Sequence, residues 1–318
     1  MNIDTTRLYF TDYAPLNFQF VQNRYDFIVD EIPYKDFGSH GNFLILHIQK
    51  EYLSTWDLLK HISKVLNIEE HKIGYAGLKD KHATTTQYIS IPLMKEKQLE
   101  RLNNKYIKIL AVYKDTKKLN IGDLKGNKFT ITLKQIDEND LPNIYKTISH
   151  IQKFGMLNYF GYQRFGKEYS FDKAKDVVYG DKIIKNNKNL EHLMGAAYQS
   201  YFFNGWLKKR VQLSIDANSK KLKTLDGDVF SLNDKSTITG LLPGRKIIRA
   251  KSQAREIEQQ YDDQYIHIKG FRRDAVVKVK NLTNKYYSEN QTLTLHFELP
   301  KSSYATVLIE TLANKNFK

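Results

Sequence analysis

One acid set among three bases is the part of this 318-residue chain whose residue types could do chemistry. The segment reads His71-Lys72-Ile73-Gly74-Tyr75-Ala76-Gly77-Leu78-Lys79-Asp80-Lys81-His82-Ala83-Thr84-Thr85-Thr86-Gln87. Lys79, Lys81 and His82 favour the ionised form of Asp80, and the two glycines let backbone approach a bulky ligand. An ionised aspartate is a nucleophile or a base. The same residues also describe a basic surface turn in which Asp80 merely offsets its neighbours. Residue types alone leave both readings open.

Other chemistries lack their residues. There is no cysteine, so disulfides, thiolate metal sites and thiol nucleophiles are excluded. No Gly-x-x-x-x-Gly-Lys-Ser/Thr loop, no Gly-x-Gly-x-x-Gly after a strand and no Gly-x-Ser-x-Gly elbow occurs. The nine histidines are scattered, without His-Glu-x-x-His or a dense carboxylate cluster, so no metal site is expected. What remains is chemistry that needs neither metal nor cofactor. Lys plus Arg number 50 against 35 Asp plus Glu, a formal charge of +15 and a pI near 9.5. Such a charge calls for a polyanionic partner such as nucleic acid, although a Lys-rich codon bias would inflate it too. The start carries no basic-then-apolar leader and no run of apolar residues is long enough to span a bilayer, so a cytoplasmic protein is expected.

The elements that must position Asp80 can be placed from periodicity. Phe27-Ile28-Val29 and Phe43-Leu44-Ile45-Leu46 are β-rich runs, and Gln87-Tyr88-Ile89-Ser90-Ile91 is another that ends at Pro92. Between them, Ser54-Thr55 caps a helix whose apolar positions are Trp56, Leu58, Leu59, Ile62, Val65 and Leu66. Residues 128–133 alternate strictly, with Phe129, Ile131 and Leu133 on one face. A helix starts near Leu141-Pro142 and stops at Gly155. Residues 171–179 and 190–213 read as helical, followed by a Lys-rich stretch and a tight Leu241-Leu242-Pro243-Gly244-Arg245 turn. The end returns to a strand over 292–299 and a helix from 302 to about 312. Similar elements at both ends predict one shared sheet interrupted by an inserted middle domain.

Several strings resemble, in order, those of the TruD family of tRNA pseudouridine synthases. Gly74-Tyr75-Ala76-Gly77-Leu78-Lys79-Asp80-Lys81-His82-Ala83 is similar to the segment that holds that family's aspartate. Asp26-Phe27-Ile28-Val29-Asp30-Glu31-Ile32-Pro33, Gly126-Asn127-Lys128-Phe129, and Asn158-Tyr159-Phe160-Gly161-Tyr162-Gln163-Arg164-Phe165-Gly166 resemble three more of its motifs. Tyr198-Gln199-Ser200-Tyr201-Phe202-Phe203-Asn204 and Leu299-Pro300-Lys301-Ser302-Ser303-Tyr304-Ala305-Thr306 complete the set.

The resemblance implies an α/β (α+β) fold. Its catalytic pseudouridine-synthase domain, 1–156 with 281–318, would be built on a mixed, largely antiparallel sheet, and a TruD-specific domain would be inserted over 157–280. It implies Asp80 as the nucleophile toward a flipped-out uridine, with Phe27, Asn127, Phe129 and Tyr304 as substrate-binding residues. Relatives carry a basic residue where this chain has Val21, which leaves Arg24, Lys79 and Lys81 as candidates for the basic partner of Asp80. The implied substrate is uridine 13 of tRNA, in bacteria chiefly the glutamate acceptor, and the implied state is a monomer without cofactor or metal. Apart from the resemblance, Lys208-Lys209-Arg210, 220–223, Arg245-Lys246 and Arg272-Arg273 are candidate tRNA-backbone contacts, although each taken singly reads first as a solvated helix or loop face. Two rivals stand beside this reading: the same chemistry on another RNA, and an RNA-binding protein without the activity.

Overall fold

A computed structural model describes residues 6–165, 170–180 and 188–317. In chain order the strands and helices begin with β1 (Phe27–Pro33), β2 (Phe43–Glu51), α1 (Thr55–Leu66), β3 (Gly74–Tyr75), β4 (Thr84–Pro92), β5 (Ile107–Asp115) and β6 (Leu124–Leu133). The middle holds α2 (Leu141–Phe154), β7 (Met156–Leu157), α3 (Phe171–Tyr179), α4 (Lys188–Asp216), β8 (Thr239–Leu242), α5 (Ser252–Glu258), β9 (Phe271–Asp274) and β10 (Val276–Val277). The chain closes with β11 (Lys280–Tyr287), β12 (Thr292–Pro300) and α6 (Ala305–Ala313).

Two compact units result: residues 17–141 with 279–302, and residues 1–16 with 142–278 and 303–318. These bounds differ from the expected breaks after 156 and 280, because α2 and α6 pack with the unit that holds α4.

The first unit is a sheet of order β11-β12-β6-β1-β4-β2-β5, with β3 added to β4. Only β1 and β4 run parallel; every other pair is antiparallel. That is the mixed, largely antiparallel sheet expected, and β11 and β12 bring the C-terminal part of the chain into it. On one face α1 lays Leu58, Leu59, Ile62 and Leu66 against Leu44, Leu46 and Ile48 of β2 and Ile89 and Ile91 of β4. Each such side chain, taken fully from water, contributes roughly 1.5–3 kcal/mol. Ser54 and Asp57 form a reciprocal capping box at the start of α1, and Asn67 ends it in the left-handed region. Trp56, expected on the apolar stripe, is instead 45 % exposed and meets the edge of Tyr75. It belongs to the first turn, where the helix has already rotated that position away from the sheet.

In the second unit α4 is the hub. Tyr198, Phe202, Phe203, Trp206 and Leu207 are buried along it, and Phe171, Ala174 and Val177 of α3 belong to the same packing. Gly240 of β8 lies so close to Trp206 that an added Cβ would sit 2.4 Å from the indole. Every residue of α6 is buried, including Glu310, which accepts from Arg7 at 2.7 and 2.5 Å and from the Tyr9 hydroxyl at 2.9 Å.

Candidate active site

Three elements hold the loop that carries Asp80. The backbone N–H of Lys79 donates to Thr55 Oγ1 at the start of α1 (2.9 Å), and that hydroxyl donates to Gln87 Oε1 on β4 (3.0 Å). Lys50, at the end of β2, donates from Nζ to the carbonyl of Asp80 (3.0 Å) and to that of Leu53 (2.5 Å). Further back, the N–H of Gly122 donates to the carbonyl of Ala76 at 2.8 Å. Loop backbone is therefore bonded on both sides of the acid, and the Asp80 residue itself stays open to solvent.

Lys79 is buried and its Nζ lies 2.5 Å from Glu31 Oε2 on β1, while Glu31 Oε1 accepts from the N–H of Tyr88 at 3.1 Å. Gly77 crosses beside this pair; an added Cβ would be 3.3 Å from Lys79 Nζ. Lys81 and His82 are exposed. Arg24 pairs with Glu51 at 3.2 Å, bonds the Tyr25 hydroxyl and lies 5.6 Å from the Tyr52 ring centre. Of the three expected basic partners, the structure thus commits Arg24 and Lys79 to other acids. Lys50 escaped sequence reading because a lysine at a strand end carries no signal of burial; here it is fully buried.

Crowding by protein raises the Asp80 carboxyl above the ordinary aspartate range, opposed first by Lys50 and then by Lys79, its own backbone N–H and His82. Burial likewise pushes the Lys50 ammonium down to about 8, with Asp80 the strongest opposing influence, Lys79 reinforcing the fall and Asp57 resisting it.

Register places the other expected residues of this unit on the same face. Val29 pairs with Phe129 and Phe129 with Phe297, while Glu31 pairs with Asn127 and Asn127 with Leu299. Phe27 and Phe129 are 1 % and 6 % exposed, with ring centres 6.2 Å apart, and Phe129 stacks on Phe297 at 5.2 Å. Both rings are thus packed in the sheet core. Gly126 is required beside Asn127, since an added Cβ would lie 2.1 Å from the Leu299 carbonyl oxygen. Asn127 Oδ1, Gln87 Nε2 and Thr85 Oγ1 are buried without a hydrogen-bond partner. Native interiors leave few such atoms, and three on one sheet face next to Asp80 suit a polar ligand edge. Thr85 and Gln87 were missed in the sequence, where the run Thr84-Thr85-Thr86-Gln87 shows no apolar position to mark a buried face.

Tyr304 lies in the second unit, immediately before α6. Its hydroxyl accepts from Arg164 Nε at 3.2 Å, and its ring meets Phe160 edge-on at 6.0 Å. Gly161 makes room for it, an added Cβ falling 3.1 Å from the ring. Nearby, Asn204 clamps the backbone of Phe160 through both amide atoms, at 2.8 and 2.9 Å. Two of the expected motifs therefore serve to fix each other.

Three expected RNA contacts are corrected. Arg210 is buried in a double bond to Asp228 at 2.6 and 2.9 Å, because it falls one helical turn beyond Trp206 on the apolar stripe of α4. Arg272 donates to Glu258 and to Thr239. Arg273 is buried 4.0 Å over the Phe160 ring and donates to Asn158, and burial pushes it down to about 10. Lys209, Lys220, Lys221, Lys223, Arg245 and Lys246 do stay exposed. Among the described residues no group of three His, Asp or Glu could hold a metal, and no helix is long and apolar enough to cross a membrane.

A family model described as tRNA pseudouridine synthase D (TruD) matches residues 5–189. A tRNA pseudouridine synthase D of Nitratiruptor sp. is 36% identical across 98% of this chain and 99% of the relative. That of Sulfurimonas denitrificans is 34% identical across 97% of this chain and 99% of its own length. A crystal structure from Methanosarcina mazei, assigned to the same protein type, shares the fold with a TM-score of 0.72 at 24% identity, over 97% of this chain and 96% of the other.

Proposed function

Because the chain belongs to the tRNA pseudouridine synthase D (TruD) family, we propose that it isomerises uridine to pseudouridine in tRNA, at position 13 beside the D-arm, with Asp80 as the nucleophile. The target base leaves its stack and enters beside the Asp80 loop. The carboxylate attacks the ribose C1′ or the uracil C6, the N1–C1′ bond breaks, and the base turns. A C5–C1′ bond then forms, the bond to Asp80 breaks and returns its carboxylate, C5 loses its proton and N1 gains one, so that product and substrate are isomers. No oxidant, reductant or cofactor enters this balance.

One observation supports the reading above the others: the backbone of the Asp80 loop is pinned to α1 and β2, elements that border a sheet face carrying unpaired polar atoms. Asn127 Oδ1 is an acceptor for the uracil N3–H, and Phe129 is the ring closest in register to it. Tyr304, residues 157–280 as an inserted domain, the glutamate acceptor tRNA and a monomeric enzyme complete the proposal.

The test is pseudouridine mapping on unmodified tRNA bearing uridine 13, with wild type and Asp80→Ala and no added metal or cofactor. Product at that position from wild type alone, with the variant slower by on the order of 10⁴-fold or more, is the expected result. Equal product from both proteins removes the nucleophile assignment. Tight binding without product from either favours a non-catalytic RNA-binding role.

A further inference from the structure

Lys50 is the largest departure from what the sequence led one to expect near Asp80. Its side chain is completely buried on the face that carries α1, a position that lysine occupies rarely and at considerable desolvation cost. Its two described bonds go to neutral carbonyls, those of Leu53 and of Asp80 itself. The other cations near the acid differ on this point. Lys79 is matched by Glu31 at 2.5 Å, Arg24 by Glu51 at 3.2 Å, and Lys81 is exposed to screening water. Among the described residues, no carboxylate forms an ion pair with Lys50. Its charge is therefore uncancelled, held in a poorly screened place, and tied to the residue whose ionisation the reaction needs.

We infer that Lys50 is a positioning residue for the Asp80 carboxylate: its ammonium clamps the loop through the Asp80 carbonyl and supplies the positive field that keeps the acid ionised for attack. The inference rests on the proposed synthase reaction. Two effects are combined in one side chain, and they are separable. Glutamine at position 50 offers two N–H donors of similar reach without charge, whereas arginine keeps the charge with a different fork. A clamp alone would tolerate glutamine; a field would not.

The groups facing this pair limit what a titration can mean. Asp80 and Lys79 from the loop and Asp57 from α1 act on Lys50, while Lys50, Lys79 and His82 act on Asp80. His82→Gln in parallel removes the histidine that also acts on Asp80.

Single-turnover pseudouridine formation would be followed against pH for wild type, Lys50→Gln, Lys50→Arg and His82→Gln, with tRNA affinity and thermal midpoint measured on each. Lys50→Gln should bind tRNA about as wild type does, lose on the order of 100-fold in rate, and show its acid limb at higher pH, because removing a nearby cation makes Asp80 harder to ionise. Lys50→Arg should keep the acid limb near its wild-type position.

A Lys50→Gln protein with wild-type rate and an unmoved acid limb overturns the inference, as does a Lys50→Arg protein whose acid limb moves as far as that of Lys50→Gln. Failure of the parent reading has another signature: no pseudouridine from wild type, or equal product from Asp80→Ala.

Discussion

Asn127 and Phe27 share one sheet face, yet their removal should have opposite consequences. Phe27 is 1 % exposed against Phe20 and Phe129, so Phe27→Ala should cost about 3–5 kcal/mol of stability. Activity lost beyond the unfolded fraction of that variant would mark the ring as a substrate contact as well. Asn127 Oδ1 has no protein partner to lose. Asn127→Ala should therefore change stability by no more than about 0.5 kcal/mol while lowering kcat/KM by about 10–100-fold, the worth of a buried hydrogen bond to substrate. Urea titration beside single-turnover kinetics checks both; parallel losses in Asn127→Ala would assign the amide to the fold instead. At this scale the sequence was readable where a residue stands in a dense string, as Asp80 and Asn127 do. It was opaque for Lys50, Gln87 and Thr85, whose significance lies in burial and missing partners, and for Arg210 and Arg273, whose charges read as surface but are matched inside.

At the scale of elements, α1 does more than cover the sheet. Its first residue, Thr55, links the backbone of Lys79 to Gln87 on β4. Thr55→Val keeps the shape and removes the link, which leaves one buried N–H and the Gln87 amide unpaired, at roughly 1–3 kcal/mol for each orphaned group. The expected outcome is a looser Asp80 loop: lower kcat, little change in tRNA affinity, and faster amide exchange over residues 79–83. Unchanged exchange there would show that Lys50 alone fixes the loop. The helices were legible from period and caps, since Ser54 and Gly155 both stand where a helix begins or ends. The edge strands β5 and β11 were not. β11 is exposed at most positions, and a strand open on both faces has no apolar alternation to read. The parallel pairing of β1 with β4 was also hidden, because register is set by what the crossover packs against rather than by either strand.

For the whole molecule, the charge of +15 leads to a measurable expectation. Each tRNA phosphate neutralised should contribute about −0.7 to −0.9 to the slope of log affinity against log salt. Binding at 50 and 200 mM salt should therefore differ by orders of magnitude, and a flat response would remove the electrostatic reading of the surface. Reversing one exposed cation, as in Lys246→Glu, should reduce that slope, whereas substitutions at buried Arg210 or Arg273 should act through stability instead.

The way the chain closes on itself has a consequence in time. Arg7 is held by Glu310, and the backbone of Arg7 also bonds Asn316 in both directions, at 2.6 and 2.9 Å. The sheet, for its part, receives β11 and β12 from residues 280–300. Neither unit contains all of its residues until residues past 300 have been made. A growing polypeptide, which most proteins allow to fold domain by domain as it emerges, must here carry an unfinished sheet and an unfilled centre for α6 until residues 280–313 have followed. Nascent chains of this protein are thus clients for whatever shields apolar surface at the ribosome exit, and a message truncated before residue 280 yields not a shortened enzyme but an unfolded one.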